Sequence, residues 1–229
     1  MREYSTGLYR ETETYWCHSF KNRDEWLAGR GTLRGVGGSD SAAALGMSKW
    51  KSNLILWREK THRSEPSQVE TPQMRYGIDA EEPIRRLYQL DVEGKYEVQY
   101  KPDCILQSKK WEHMLYSPDG LLLEKDTGRV GLLEIKTSTI HGNADQWKDQ
   151  IPQNYFIQVV HGMAVTGAVF AELRAHLRYS EDYTAVRTYH IERAEIGPDI
   201  DVVTDGVNKF WRYVQADKEP PLIIGGLRK

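Results

Sequence analysis

The period of the hydrophobic positions changes several times along the chain, and each change predicts a new element. The first twenty residues are polar and aromatic with no clear period. Asp24–Arg30 then reads as a short helix, with Trp26 and Arg30 four apart on one face. A glycine-dense loop follows (Gly29, Gly31, Gly35, Gly37, Gly38) and ends in Ser39–Asp40. Either of these two residues suits the N-cap of a helix Ser41–Leu45, which Gly46 would stop. Ser52 caps an amphipathic helix carrying Leu54, Ile55, Leu56 and Trp57. Residues 62–72 are polar, contain two prolines and read as an exposed loop. Thr71–Pro72 is a cap and first turn for a helix through Tyr88, inside which Pro83 predicts a kink or a break.

From Lys95 the pattern becomes that of strands: Tyr96–Tyr100, Cys104–Gln107, Glu112–Tyr116, Leu121–Glu124 and Val130–Thr137. Ser108–Lys110 and Lys125–Gly128 are the turns between them. Residues 141–152 predict a mobile polar loop, and Pro152 opens a helix to about Val165 that Gly167 ends. Ala168–Tyr179 and Tyr183–Glu192 read as two long strands. A last helix, about residues 198–216, presents Ile200, Val203, Val207, Phe210, Trp211 and Val214 as one stripe. This order of elements predicts one α/β (α+β) domain with a central mixed sheet flanked by helices, its core at about residues 24–192.

The chemistry concentrates at two of the predicted strands. Asp119 precedes one of them, and Glu134 and Lys136 lie two apart in the next, between apolar neighbours. A strand puts i and i+2 on one face, so Glu134 and Lys136 should project together. If the two strands pair through Asp126–Thr127–Gly128, Asp119 joins them. Buried charge is costly unless paired or metal-bound. Two carboxylates with a lysine suit a divalent metal and an attacking water. The plain alternative is an exposed sheet edge with an accidental ion pair.

Three further stretches carry candidate chemistry. Glu81, Arg85 and Tyr88 share a helix face; Glu81 could add a carboxylate, but a surface i,i+4 pair is the better reading of them alone. Arg30, Arg34 and Ser39 frame the glycines and incline that loop towards a phosphate, although it is neither a Walker A loop nor a dinucleotide fingerprint. Gln158 is a polar residue among Ile157, Val159 and Val160.

Composition narrows the classes. The chain has 229 residues, 39% hydrophobic and 28% charged, and a net charge of −2, which by itself slightly disfavours a polyanion partner. The two cysteines are far apart in sequence and fit no disulfide scaffold, zinc ribbon or iron–sulfur pattern, so the expected setting is the reducing cytoplasm. No apolar run is long enough for a membrane span, and Met1–Arg10 lacks a signal-peptide hydrophobic region. The histidines have no zinc-hydrolase spacing, and no serine or cysteine has the surroundings of a nucleophile.

Taken in order, the stretches make a pattern. They are Trp26 with Arg30, Gly37–Gly38–Ser39–Asp40, Ser48–Trp50–Ser52 with Leu56–Trp57, and Gly77…Glu81…Arg85…Tyr88. Then come Ser117–Pro118–Asp119–Gly120–Leu121, Glu134–Ile135–Lys136, and Gln158 followed by Met163. From about Trp26 to Val165 the chain resembles the PD-(D/E)XK nuclease superfamily, and within it the YqaJ-like viral recombinases, the group of the bacteriophage lambda exonuclease. The resemblance implies a restriction-endonuclease-like core and a Mg²⁺-dependent 5′→3′ exonuclease (Mn²⁺ as a substitute) acting on duplex DNA ends. Asp119, Glu134 and the Ile135 carbonyl would hold metal, Glu81 or its neighbour Glu82 would complete the acids, Lys136 would activate water, and Gln158 would assist. Arg30 and Ser39 would bind the terminal 5′-phosphate, with Arg34 sharing that role. A homotrimeric ring and a single-strand-annealing recombination protein as partner are implied in the same way. The alternatives are a PD-(D/E)XK endonuclease of restriction or repair, and a non-catalytic DNA-binding module on the same fold.

Overall fold

The computed structural model describes residues 4–66, 70–140, 146–148 and 150–223. Its strands form two mixed sheets where the pattern predicted one. The five-stranded sheet runs β3 (Tyr96–Gln99), β6 (Gly120–Glu124), β7 (Val130–Thr139), β8 (Phe170–Arg178), β9 (Thr184–Glu192). All its pairs are antiparallel except β7–β8. A parallel pair needs a crossover, and α5 (Gln153–Thr166) supplies it. The four-stranded sheet runs β1 (Tyr15–Ser19), β4 (Cys104–Ser108), β5 (Met114–Tyr116), β2 (Val36–Gly37).

The second sheet exists because of β1 and β2, neither of which has a sequence signal. In β1 only Tyr15 is buried, so no alternation shows, and its partner β4 is nearly ninety residues away. Strand β2 is two residues of the glycine loop, laid parallel to β5. Cys17 and Cys104, remote in sequence, lie on these paired strands with their sulfurs 3.2 Å apart, both as free thiols.

The helices are α1 (Arg23–Thr32), α2 (Gly38–Ala44), α3 (Asn53–Lys60), α4 (Pro72–Asp91), α5 and α6 (Gly197–Gln215). Gly37 is the N-cap of α2, so Ser39 and Asp40 belong to its first turn. Helix α4 begins as read, with Thr71 accepting a hydrogen bond from the Met74 amide at 3.2 Å. It does not split at Pro83 but continues to Asp91. Pro83 and Asp79 are both exposed, so the carbonyl deprived of its i+4 donor faces water, while Ile84, Arg85 and Tyr88 anchor the next turn. Of the predicted loops, residues 67–69, 141–145 and 149 lie outside the described residues. Trp147, in the segment read as mobile, is buried and stacks on Tyr155 with centroids 5.1 Å apart.

Helix α5 is the centre of the larger core, buried at almost every position from Ile157 to Thr166. It packs against α2, α6 and both sheets. Close approach is permitted by two glycines that grip one tyrosine. A Cβ on Gly162 would come within 2.5 Å of the Tyr116 ring, and one on Gly38 within 2.9 Å of it. Tyr116 is thereby held in a slot between α5 and α2. Gly162→Ala should overpack that slot and cost about 1–3 kcal/mol of stability. The Gly31→Ala control, where an added Cβ meets nothing within 4 Å, should be neutral or slightly stabilising. Equal denaturant midpoints for the two variants would contradict the slot.

Candidate active site

The register of β6 on β7 pairs Gly120 with Leu133, which sets Asp119 opposite Glu134. One Asp119 oxygen, Oδ2, accepts the Ile135 amide at 2.7 Å. The face of β7 that carries Glu134 also carries Lys136, as the strand period requires. Glu134 is 1% exposed, and a carboxylate so deeply buried needs partners for both oxygens. Oε1 accepts from Lys136 Nζ and from Gln158 Nε2, each at 2.5 Å. Oε2 accepts from the Tyr116 hydroxyl at 2.5 Å. Gln158 therefore points inward from α5 to the acid. Tyr116 is a site residue absent from the sequence reading; the signal for it is a tyrosine in an apolar strand, whose buried hydroxyl needs an acceptor.

The surface-pair reading of Glu81 and Arg85 does not hold. Arg85 has a side chain 1% exposed and is the most heavily engaged residue of α4. Its Nε donates to the Asp119 carbonyl at 2.6 Å, Nη1 to Glu82 at 2.5 Å, and Nη2 to Glu81. The guanidinium also lies 3.4 Å from the centroid of the Tyr100 ring. Burial alone would lower its pKa, but Tyr100, Glu81, Asp119 and Glu82 outweigh that and raise it. Of the two acids, Glu81 is the one on the cleft. Glu82 turns outward, 48% exposed, and is shared with Arg86 at 2.7 Å.

Beside this cluster is a cleft of about 250 Å³, whose lining does not include Glu134 or Lys136. Arg30, Ser39, Glu81, Asp119 and Gln158 line it, together with Gly37, Gly38, Tyr116, Arg23, Lys60 and Lys101. Arg30 lies over the Trp26 ring at 4.8 Å, and Arg23 over the same ring at 3.8 Å. Arg34 is exposed, has a left-handed φ of 41° and does not line the cleft, so the glycine loop separates it from Arg30 and Ser39. Asp40 is paired with Lys60 at 2.9 Å and Lys51 at 3.6 Å. Burial pushes its carboxyl up, but the two ammonium groups prevail and hold it below the usual range.

The electrostatics show a surplus of negative charge at the strand ends. Burial, then Glu134 and Glu81, push the Asp119 carboxyl well above the usual carboxylate range. Burial disfavours a charged Lys136, but Glu134 and Asp119 outweigh it and raise its pKa, so the lysine is an ammonium here. Among the described residues no three His, Cys, Asp or Glu side chains form a ready metal cage, because Glu81 is drawn to Arg85. Two adjacent carboxylates whose repulsion raises one pKa nevertheless fit a hard divalent cation, which takes oxygen ligands and retains water.

The profile of the YqaJ-like viral recombinase domain matches residues 25–169, more than half of the chain. The chain belongs to this family. It is 30% identical over 204 residues to the uncharacterized protein YqaJ of Bacillus subtilis (strain 168), covering 88% of this chain and 53% of that one. The chain thus spans about half the length of that curated relative. The crystal structure of the alkaline exonuclease LHK-Exo from Laribacter hongkongensis superposes with a TM-score of 0.60 at 23% identity, covering 85% of this chain and 94% of that one. The LHK-Exo complex with dAMP gives 0.62 at 20% identity, with the same coverage of both chains. These matches show a shared fold, the alkaline exonuclease fold of PD-(D/E)XK type expected from the motifs.

The raised Asp119 carboxyl has a consequence for stability. Its folded pKa lies above its unfolded one, so its contribution is full at acid pH and is lost as pH rises through the raised value. In EDTA, Asp119→Asn should therefore gain stability over the wild type as pH is raised from 5 to 8. Thermal melts of the two proteins across that range would show it, and a constant difference would contradict it.

Proposed function

We propose that this chain is a Mg²⁺-dependent 5′→3′ exonuclease that hydrolyses one strand of linear double-stranded DNA to mononucleotides, in recombination of phage type by single-strand annealing. The observation that carries this is the clustering of Asp119, Glu134, Lys136 and Gln158, of which Asp119 and Gln158 line a cleft whose wall also holds Arg30 and Ser39. Membership of the YqaJ-like family and the fold shared with an alkaline exonuclease support it. Asp119, Glu134 and the Ile135 carbonyl would hold the metal, with Glu81 reaching it on release from Arg85. The cation supplies a Lewis acid for the phosphoryl oxygen and a more acidic water.

The chain's own groups account for the rest of the reaction. Tyr116 and Gln158 fix the Glu134 carboxylate, leaving it no freedom to turn. The Ile135 amide does the same for Asp119 Oδ2. Lys136 faces the water that attacks phosphorus as the P–O3′ bond breaks. Lys136 is held charged by Glu134 and Asp119 against its burial; with those two acids neutralised, burial would favour its neutral amine, the form that accepts a proton from water. Arg30, stiffened against Trp26, and Ser39 would take the terminal 5′-phosphate and place the next phosphodiester at the metal. Family likeness adds a homotrimeric ring and a single-strand-annealing protein as partner.

Linear duplex DNA with Mg²⁺ should release mononucleotides, closed circles should stay intact, and EDTA should stop the reaction. Lys136→Ala should lower the rate by about 10²-fold or more. Equal rates for mutant and wild type would sink the mechanism, and cleavage of circles would point to an endonuclease. Arg30→Ala should erase the preference for 5′-phosphorylated over 5′-hydroxyl ends while leaving the metal requirement unchanged. An unaltered preference would remove Arg30 from the phosphate site.

A further inference from the structure

Trp50 is 70% exposed, more than any other large hydrophobic side chain among the described residues. Most of the indole surface is therefore open to a ligand. The ring stands on the connection between α2 and α3, but it has an aromatic neighbour. It lies 6.1 Å from the centroid of Tyr155, tilted by 46°. Tyr155 is backed by the buried Trp147 at 5.1 Å, which is itself 6.0 Å from Tyr189. The Tyr155 ring also lies 5.8 Å from Lys136 Nζ. Tyr155 and Gln158 are i,i+3 neighbours on α5, so the ring that supports Trp50 is one turn from the amide that bonds Glu134. A single aromatic ring thus separates the exposed indole from the candidate catalytic lysine.

The charges around it point to the kind of occupant. Trp50 is flanked by Ser48, Lys49, Lys51 and Ser52 rather than by aliphatic neighbours. Lys51 is paired with Asp40 and Glu59, whereas the Lys49 ammonium donates to the side-chain oxygen of Gln146 and has no acidic partner among the described residues. An exposed indole on an aromatic base, with the Lys49 ammonium beside it in sequence and phosphodiester chemistry next door, has what a single nucleic-acid strand needs: a π-face for the base and a positive charge for the backbone.

We infer that Trp50 is a stacking platform for an unpaired nucleobase of the DNA strand at the mouth of the active site, an inference that rests on the nuclease reading. Its role is to hold a base out of the duplex while the adjoining phosphodiester occupies the cleft.

The test is binding in EDTA, where no cleavage occurs, of a 5′-phosphorylated single-stranded tetranucleotide and of an abasic sugar-phosphate of the same length. Wild type should bind the base-bearing strand about tenfold tighter than the abasic one, in line with one base–aromatic stack. Trp50→Ala should bind both at the abasic level, and Trp50→Phe should keep most of the difference. The quenching of intrinsic fluorescence on binding should be larger in wild type than in Trp50→Phe. If Trp50→Ala binds the base-bearing strand as tightly as wild type, the platform is wrong, whether or not the enzyme cuts DNA. A change of assembled mass in Trp50→Ala with DNA binding untouched would assign the ring to a protein contact and overturn it equally. Wild type that neither cuts duplex DNA nor binds either strand would overturn the nuclease reading itself.

Discussion

A carboxylate buried to the last percent organises this protein. Glu134 lies where the apolar strand β7 meets helix α5, and an ionised acid there is tolerable only if both oxygens are fully bonded. Three elements send a donor each: β7 gives Lys136, α5 gives Gln158 and β5 gives Tyr116. Because those elements belong to different sheets and to the crossover between them, the bonds to one side chain fix how the layers meet. The glycines at 38 and 162 serve the same end, since only their missing Cβ atoms let the Tyr116 ring reach that depth.

Arg85 plays the matching part on the other side of Asp119. Its guanidinium donates to the carbonyl of Asp119 and to Glu81 and Glu82, so one buried cation joins helix α4 to the start of β6. The planar fork with five donors suits this; a lysine offers a single point of charge. The pairing also explains why the acids of this site do not stand as a finished cage: Glu81 is occupied by arginine, and the negative surplus falls on Asp119. Structure and electrostatics are therefore one problem here. The groups that carry the proposed chemistry are the groups whose mutual repulsion the fold has to contain.

The net charge of −2 also takes on a different meaning once the groups are placed. Part of the acid lies at the strand ends, and Asp40 is consumed by Lys51 and Lys60, while Arg23, Arg30 and Lys101 border the cleft. A chain that is acidic in total can thus present a basic wall to an anion, which is a question of distribution and not of sum.

What the sequence determined by itself was local or periodic. The i,i+2 geometry of Glu134 and Lys136, the hairpin that brings Asp119 beside them, the Thr71–Pro72 start of α4 and the stripe of α6 all follow from short-range rules of backbone geometry. The ordered motifs were enough to identify the family and fold. What the sequence could not contain were consequences of pairing across long separations. Strand β1 shows no alternation because Tyr15 alone is buried in it, and what makes it a strand is its pairing with β4 nearly ninety residues away. Pro83 does not end α4 because the carbonyl it orphans, that of Asp79, is on the exposed side, which depends on the side of the helix that is packed. Arg85 reads as a surface partner of Glu81 until β6 closes over it, and Arg34 reads as a neighbour of Arg30 until the loop turns it away. Burial decided each of these, and burial is a property of the assembled layers rather than of any segment.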